Sequence, residues 1–171
     1  MISTMFVLSF ITFFSCNEAK QDTSEVDTSD NILDTSDNIV EEENTIWSGP
    51  KITFSKEDSV DHTDPQNQDF ITDLVILTRG TQGSLINVVS ETSAISSSPE
   101  GTEWALGTTA ELDSLEFQSL KKAANEQLKQ VPGKSFVLHL IEEDIYIDIT
   151  FLSWTSGGSG GGFSYERSTE D

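Results

Sequence analysis

Chemistry near neutral pH has little to work with in this chain. Its 171 residues carry two histidines, His62 and His139, and a single cysteine, Cys16, against 30 carboxylates. One cysteine rules out an internal disulfide and every multi-cysteine zinc site. The two histidines lie far apart in sequence, which is thin material for a histidine metal site. The carboxylates are the abundant candidates that remain.

Two stretches gather carboxylates closely enough to matter. In "IEED" (141–144), Glu142 and Asp144 would share one face of a strand, about 6.7 Å apart by strand rise. Inverting glycosidases use a similar separation. With Asp148 these acids define one candidate function, a hydrolase acting on glycans. Glu143 and Asp144 could equally form a turn. In "DHTDPQNQD" (61–69), Asp61, Asp64, Asn67 and Asp69 offer hard oxygens to Ca²⁺, the one candidate cofactor. The competing reading is a polar turn around Pro65, with these side chains bonding their own backbone. Their spacing matches no established calcium loop.

A third pattern fails on mechanism. Gly157-Gly158-Ser159-Gly160-Gly161 satisfies the G-x-S-x-G hydrolase pattern. A nucleophile elbow needs a helix after the serine, and acid and histidine partners further along. Here a β-like segment follows, and no histidine comes after Ser159. Five glycines in six residues (157–162) read instead as a mobile loop between two strands. His139, inside the alternating "FVLHLI", is expected to be a hydrogen-bonded sheet residue. P-loop, dinucleotide and metalloprotease motifs are missing.

These residues must be positioned by short β-rich elements. The candidate strands are 51–54, 69–80, 84–89, 103–107, 135–141, 144–154 and 162–169. In 144–154, Ile145, Ile147, Ile149 and Phe151 face one way and predict a core. Asp144, Tyr146, Asp148, Thr150, Leu152 and Trp154 face the other. Tyr146 and Trp154 could then be platforms for a sugar or peptide, with Asp144 and Asp148 beside them. One helix is expected over 118–129, with Leu120, Ala123, Ala124 and Leu128 on one face and Pro132-Gly133 as its stop. Such a helix needs a place to dock, so it is expected to cover the Leu152/Trp154 end and leave the aspartate end wet. The fold class that follows is mainly β with a minor α component. It is an antiparallel β-sandwich, or a sheet covered by one short helix.

The N-terminal third differs in kind. Residues 17–45 hold ten acids and one lysine; residues 46–171 hold twenty acids and eight bases. The heptad "DTSDNIL" (27–33) recurs as "DTSDNIV" (34–40), too polar to build a core. Segment 16–45 is therefore expected to be a disordered acidic tether, and 46–171 the globular domain. Before the tether, "MISTMFVLSFITFFSC" is too short to span a membrane and suits the apolar core of a signal peptide, 1–15. It resembles the bacterial lipoprotein signal, in which a small residue precedes an invariant cysteine. Ser15-Cys16 fits those two positions; Phe13 and Phe14 are larger than usual, and no Lys or Arg precedes the run. The resemblance implies lipidation of Cys16 and attachment to a membrane. Asn17, in place of an aspartate, points to the outer membrane or cell surface. From Trp47 onward, "NQDFITDLVILTRG", "SPEGTEWALGT", "LHLIEEDIYIDITFLSW" and "GGGFSYERST" resemble an uncharacterised domain of exported bacterial proteins. That resemblance implies export and a β-rich fold, and carries over no activity. The sequence thus reads as a lipid-anchored, extracytoplasmic binding or structural protein, more a binder than an enzyme. Its expected partners are the membrane and a glycan or another envelope protein. A net charge of -21 makes nucleic acid a poor partner. A glycan hydrolase and a calcium-stabilised adhesion module are the alternatives.

Overall fold

The computed structural model describes residues 44–171. The expected signal segment (1–15), Cys16 and the expected tether up to residue 43 lie outside the described residues. Nine strands follow in order: β1 (Thr45–Trp47), β2 (Gly49–Lys56), β3 (Asp69–Phe70), β4 (Ile76–Arg79) and β5 (Leu85–Asn87), then β6 (Thr102–Leu106), β7 (Ser135–Leu140), β8 (Ile145–Trp154) and β9 (Phe163–Thr169). One α-helical turn, α1 (Leu120–Ala123), interrupts them. The protein is mainly β.

The larger sheet runs β2-β9-β8-β7-β6, antiparallel throughout, and β1 lies parallel to the start of β8. β1 pairs with Ile145–Ile147, whereas β9 pairs with the later residues of the same strand. The smaller sheet is the antiparallel β3-β4-β5. It packs on the larger one in a sandwich-like arrangement, because each sheet has one apolar face to bury. Ile71, Val75, Leu77 and Leu85 from the smaller sheet and its turns meet Phe136, Leu138, Ile147, Ile149, Phe151 and Tyr165. Burying each such side chain contributes about 1.5–3 kcal/mol. The run 69–80 is not one strand. It turns back at Ile71–Val75, where the Ile71 amide donates to the Val75 carbonyl, so it supplies both β3 and β4.

The expected helix is mostly lost. Only Leu120–Ala123 is α-helical, and Leu128–Gln130 forms a separate 3₁₀ turn. Asn125 and Glu126 have φ of 52° and 59°, in the left-handed region. The Glu126 amide donates to the Lys121 carbonyl and the Asn125 amide to Lys122. That pair of bonds is a Schellman stop, and asparagine tolerates the conformation it needs. Leu120, Ala123 and Ala124 still reach the core as expected. The helical turn docks beside β6, however, and Leu152 stays exposed.

The glycine-rich run is not loose either. Gly160, Gly161 and Gly162 are buried, and a 3₁₀ turn occupies Gly157–Ser159. The Gly160 carbonyl accepts from the Ser59 amide, and the Gly162 amide donates to Asp58. Glycine is used here for close backbone approach, so the mobile-loop expectation is corrected.

Candidate functional site

The Tyr146/Trp154 platform does not exist, and the cause is a β-bulge. Phe151 pairs with Tyr165 and Ser153 with Ser164, so the register of β8 on β9 shifts between Phe151 and Ser153. One extra residue reverses the alternation downstream. Tyr146 stays on the outer face, as expected. Trp154 turns inward, 8% exposed, against Phe151 and Phe163.

On the outer face Tyr146 stacks on His139, with centroids 4.2 Å apart and planes within 4°. Phe117 meets both rings edge-on. His139 Nε2 lies 3.0 Å from Asp144 Oδ1, and Nδ1 lies 3.9 Å from Glu103 Oε2. Burial, and then the Asp144 bond and the charges of Asp144 and Glu103, raise the Tyr146 pKa. His139 is thus a hydrogen-bonded sheet residue, matching the expectation.

The candidate acids are apart and engaged. "IEED" is the β7–β8 turn, and Asp144 sits there at φ 50°. Glu142 and Asp144 therefore do not share a strand face. Asp148 accepts from the Thr109 amide at 2.7 Å and from its hydroxyl at 3.1 Å, pinning a 3₁₀ segment (Thr109–Ser114) over the sheet. In the 61–69 loop, Asp61 accepts from Thr63, and Asp64 caps the turn at Pro65–Asn67 through the Gln66 amide. Asn67 donates to the Asp61 carbonyl. Asp69 points elsewhere, into the core. Its carboxylate takes Arg167 Nε at 2.7 Å, Nη2 at 2.9 Å and the Tyr165 hydroxyl at 2.7 Å. The four do not converge, and among the described residues no cluster of three His, Cys, Asp or Glu could hold a metal.

The structure instead draws attention to a residue that the sequence reading passed over. Arg79 ends β4 and is 2% exposed. Its Nε donates to the Gly83 carbonyl, and Nη1 donates to the carbonyls of Thr155 and Gly162, each at 3.0 Å. Its guanidinium carbon lies 4.0 Å from the centre of the Trp154 ring, a cation–π contact. These bonds clip the smaller sheet to the β8–β9 connection. They leave Nη2 without a hydrogen bond among the described residues, and it is not sealed from solvent.

Arg79 and Trp154 form part of the wall of a cleft of about 590 Å³. Gly83 and Ser84 come from the β4–β5 hairpin, Ala94, Ile95 and Ser96 from the loop after it, and Lys121 and 126–130 from the segment around α1. The volume suits a small organic ligand. Ser84 Oγ is buried and has no hydrogen-bond partner among the described residues. The charge is unlike the rest of the chain. Among the described residues, three of the eight Lys and Arg line this cleft, with one of the twenty acids, Glu126, ion-paired to Lys121 at 3.3 Å. Burial pushes the Arg79 pKa down to about 10, with Asp58 countering. Lys56, also buried, is lowered first by burial and next by the charge of Arg79.

Asp58 is the acid nearest these cations in effect, and it is exposed. Hydrogen bonds from Thr155, at 2.6 Å, and from the Gly162 amide hold its pKa below the ordinary 3.8. A depressed carboxylate adds stability above its unfolded pKa and loses it as pH falls through the folded value. Asp58→Asn is therefore expected to flatten the acid limb of melting temperature against pH below 3.8. An unaltered acid limb is the contrary result.

No protein-family model, curated protein or solved structure matches this chain.

Proposed function

We propose that this chain is a lipid-anchored, extracytoplasmic binding protein, held on a membrane by Cys16 and presenting its β-rich domain beyond an acidic spacer. The ligand site in this reading is the cleft at Arg79, not the outer face of β8. The observation that carries it is a buried arginine in the wall of a cleft where cations outnumber acids, in a strongly acidic chain. Natural surfaces seldom bury an arginine without a bonded carboxylate unless something else offsets the desolvation. The candidate acids favour binding over hydrolysis as well. Asp148, Asp144 and Asp69 each hold a structural bond, and Glu142 and Asp144 sit in a turn.

The anchor part rests on the sole cysteine standing behind a short apolar run. Mass spectrometry of the mature chain is expected to show Cys16 as its acylated first residue. An unmodified Cys16, or cleavage elsewhere, overturns the anchor. For the domain, ligand-observed NMR with a library of small organic molecules is expected to find binders that lose contact in Ser96→Trp. Ser96 is exposed and lines the cleft, so the substitution fills it; it also removes the hydroxyl's bonds to Glu91 and to the Ser98 carbonyl, so the variant's melting temperature is the check on folding. Binders indifferent to Ser96→Trp overturn this choice of site.

A further inference from the structure

We infer that the cleft takes a small organic anion: one oxyanion group on an apolar body, the oxyanion bonded to Nη2 of Arg79 and the body laid against Ile95 and Leu128. This rests on the cleft being the ligand site and names the chemistry of its ligand.

Three observations converge on it. The first is the unused donor. Arg79 is 98% withdrawn from solvent by its 2% exposure, yet its bonds all go to neutral carbonyls through Nε and Nη1. A carboxylate or phosphate oxygen on Nη2 would complete the guanidinium with a charge-assisted bond, roughly twice as strong as a neutral one. The second is the rim. Lys129 is exposed at the mouth, and the one acid there, Glu126, is offset by its ion pair with Lys121, so the cleft keeps a cationic excess from Arg79 and Lys129. A chain of net charge -21 repels anions at long range, so local cations are needed to admit one. The third is the apolar lip. Ile95 is 89% exposed and borders the cleft, as does the half-buried Leu128. An inorganic ion would leave that surface wet, whereas an apolar body would cover it. The volume of about 590 Å³ also far exceeds what a bare ion fills.

The test titrates the full chain, in detergent, with phenylacetate, 2-phenylethanol and inorganic phosphate, followed by calorimetry at low salt. Phenylacetate is expected to bind about tenfold or more tightly than the neutral alcohol of similar shape. Phosphate is expected to be weaker than phenylacetate. Lys129→Glu, at an exposed rim position, should weaken phenylacetate several-fold and leave 2-phenylethanol unchanged; its melting temperature serves as the check on folding. Ile95→Asp should weaken both organic probes. Equal binding of phenylacetate and 2-phenylethanol, sensitive to Ser96→Trp, overturns the anion assignment and leaves a ligand cleft standing. Phosphate equal to phenylacetate overturns the apolar body. Silence with all three probes and with the wider library overturns this inference together with the reading beneath it.

Discussion

Asp69→Ala is expected to lower the unfolding free energy by about 3–5 kcal/mol, and Asp69→Asn by only somewhat less. The carboxylate sits on the short strand β3, buried, and carries three bonds across to β9. Arg167 lies two residues beyond Tyr165, so both reach inward from the same face of β9. Without Asp69 the protein would keep a buried guanidinium and a buried phenol with no acceptor between them. Burial works against the charge of Arg167, but the Asp69 bond and charge outweigh it and hold its pKa raised. Asparagine keeps the shape and one acceptor oxygen but not the charge, which is why it rescues little. Urea unfolding of the two variants measures the effect, and the control is Asp69→Leu with Arg167→Met. If removing both partners costs much less than removing Asp69 alone, the loss comes from the stranded charge. If Asp69→Asn unfolds at the same urea concentration as the parent, the pair is not the tie between the sheets.

The same cluster sets an alkaline limit. Burial first, then the neighbouring Asp69, raises the Tyr165 pKa well above 10.0. A raised folded pKa means that the associated stability is present below the unfolded value and is lost as pH rises towards the folded one. The phenol thus stays a hydrogen-bond donor to Asp69 across the neutral range.

What the sequence made legible follows from periodicity. Ile145, Ile147, Ile149 and Phe151 alternate without interruption, so the core face of β8 was readable, as were β7 and the β4–β5 hairpin. Alternation fails where the register does. Nothing in "TFLSW" marks the bulge that turns Trp154 inward, because a bulge is chosen by the partner strand and not by the bulged residues alone. Asp69 departs from its expected place in the polar loop for a related reason. It ends a polar loop and begins a strand, and only the partner strand tells whether its side chain joins the loop or the core. The helix over 118–129 had good formers and an apolar stripe, but its second half was outweighed by a local stop at Asn125–Glu126. Arg79 left a faint trace. An arginine closing "VILTRG", in a chain with few cations, is a charge placed where an apolar run predicts burial. That conflict between side chain and setting is often a mark of function.

Gly161→Ala is expected to lower stability by about 3–5 kcal/mol, whereas Gly158→Ala, three residues earlier in the same glycine run, is expected to change it by no more than about 0.5 kcal/mol. Composition treats the two positions alike; geometry does not. Gly161 has φ of 77°, where an L-residue is strained. A Cβ there would overlap the Gly80 carbonyl oxygen and lie 2.8 Å from the Thr81 carbonyl carbon. Neither is the end of a flexible side chain, so backbone must move. At Gly158 the nearest atom to an added Cβ is Ser156 Oγ, 4.0 Å away, and the residue is exposed. The consequence of moving Gly161 reaches the cleft. Its neighbour Gly162 supplies a carbonyl to Arg79 and an amide to Asp58, so displacing the turn releases the clip that aims the guanidinium. Gly161→Ala should therefore lose phenylacetate binding along with stability, even below its own melting temperature, while Gly158→Ala retains both. Thermal melts and calorimetry on the pair measure this. Two harmless substitutions would mean that the run is the mobile loop its composition suggests, and Arg79 would then have no fixed frame to act from.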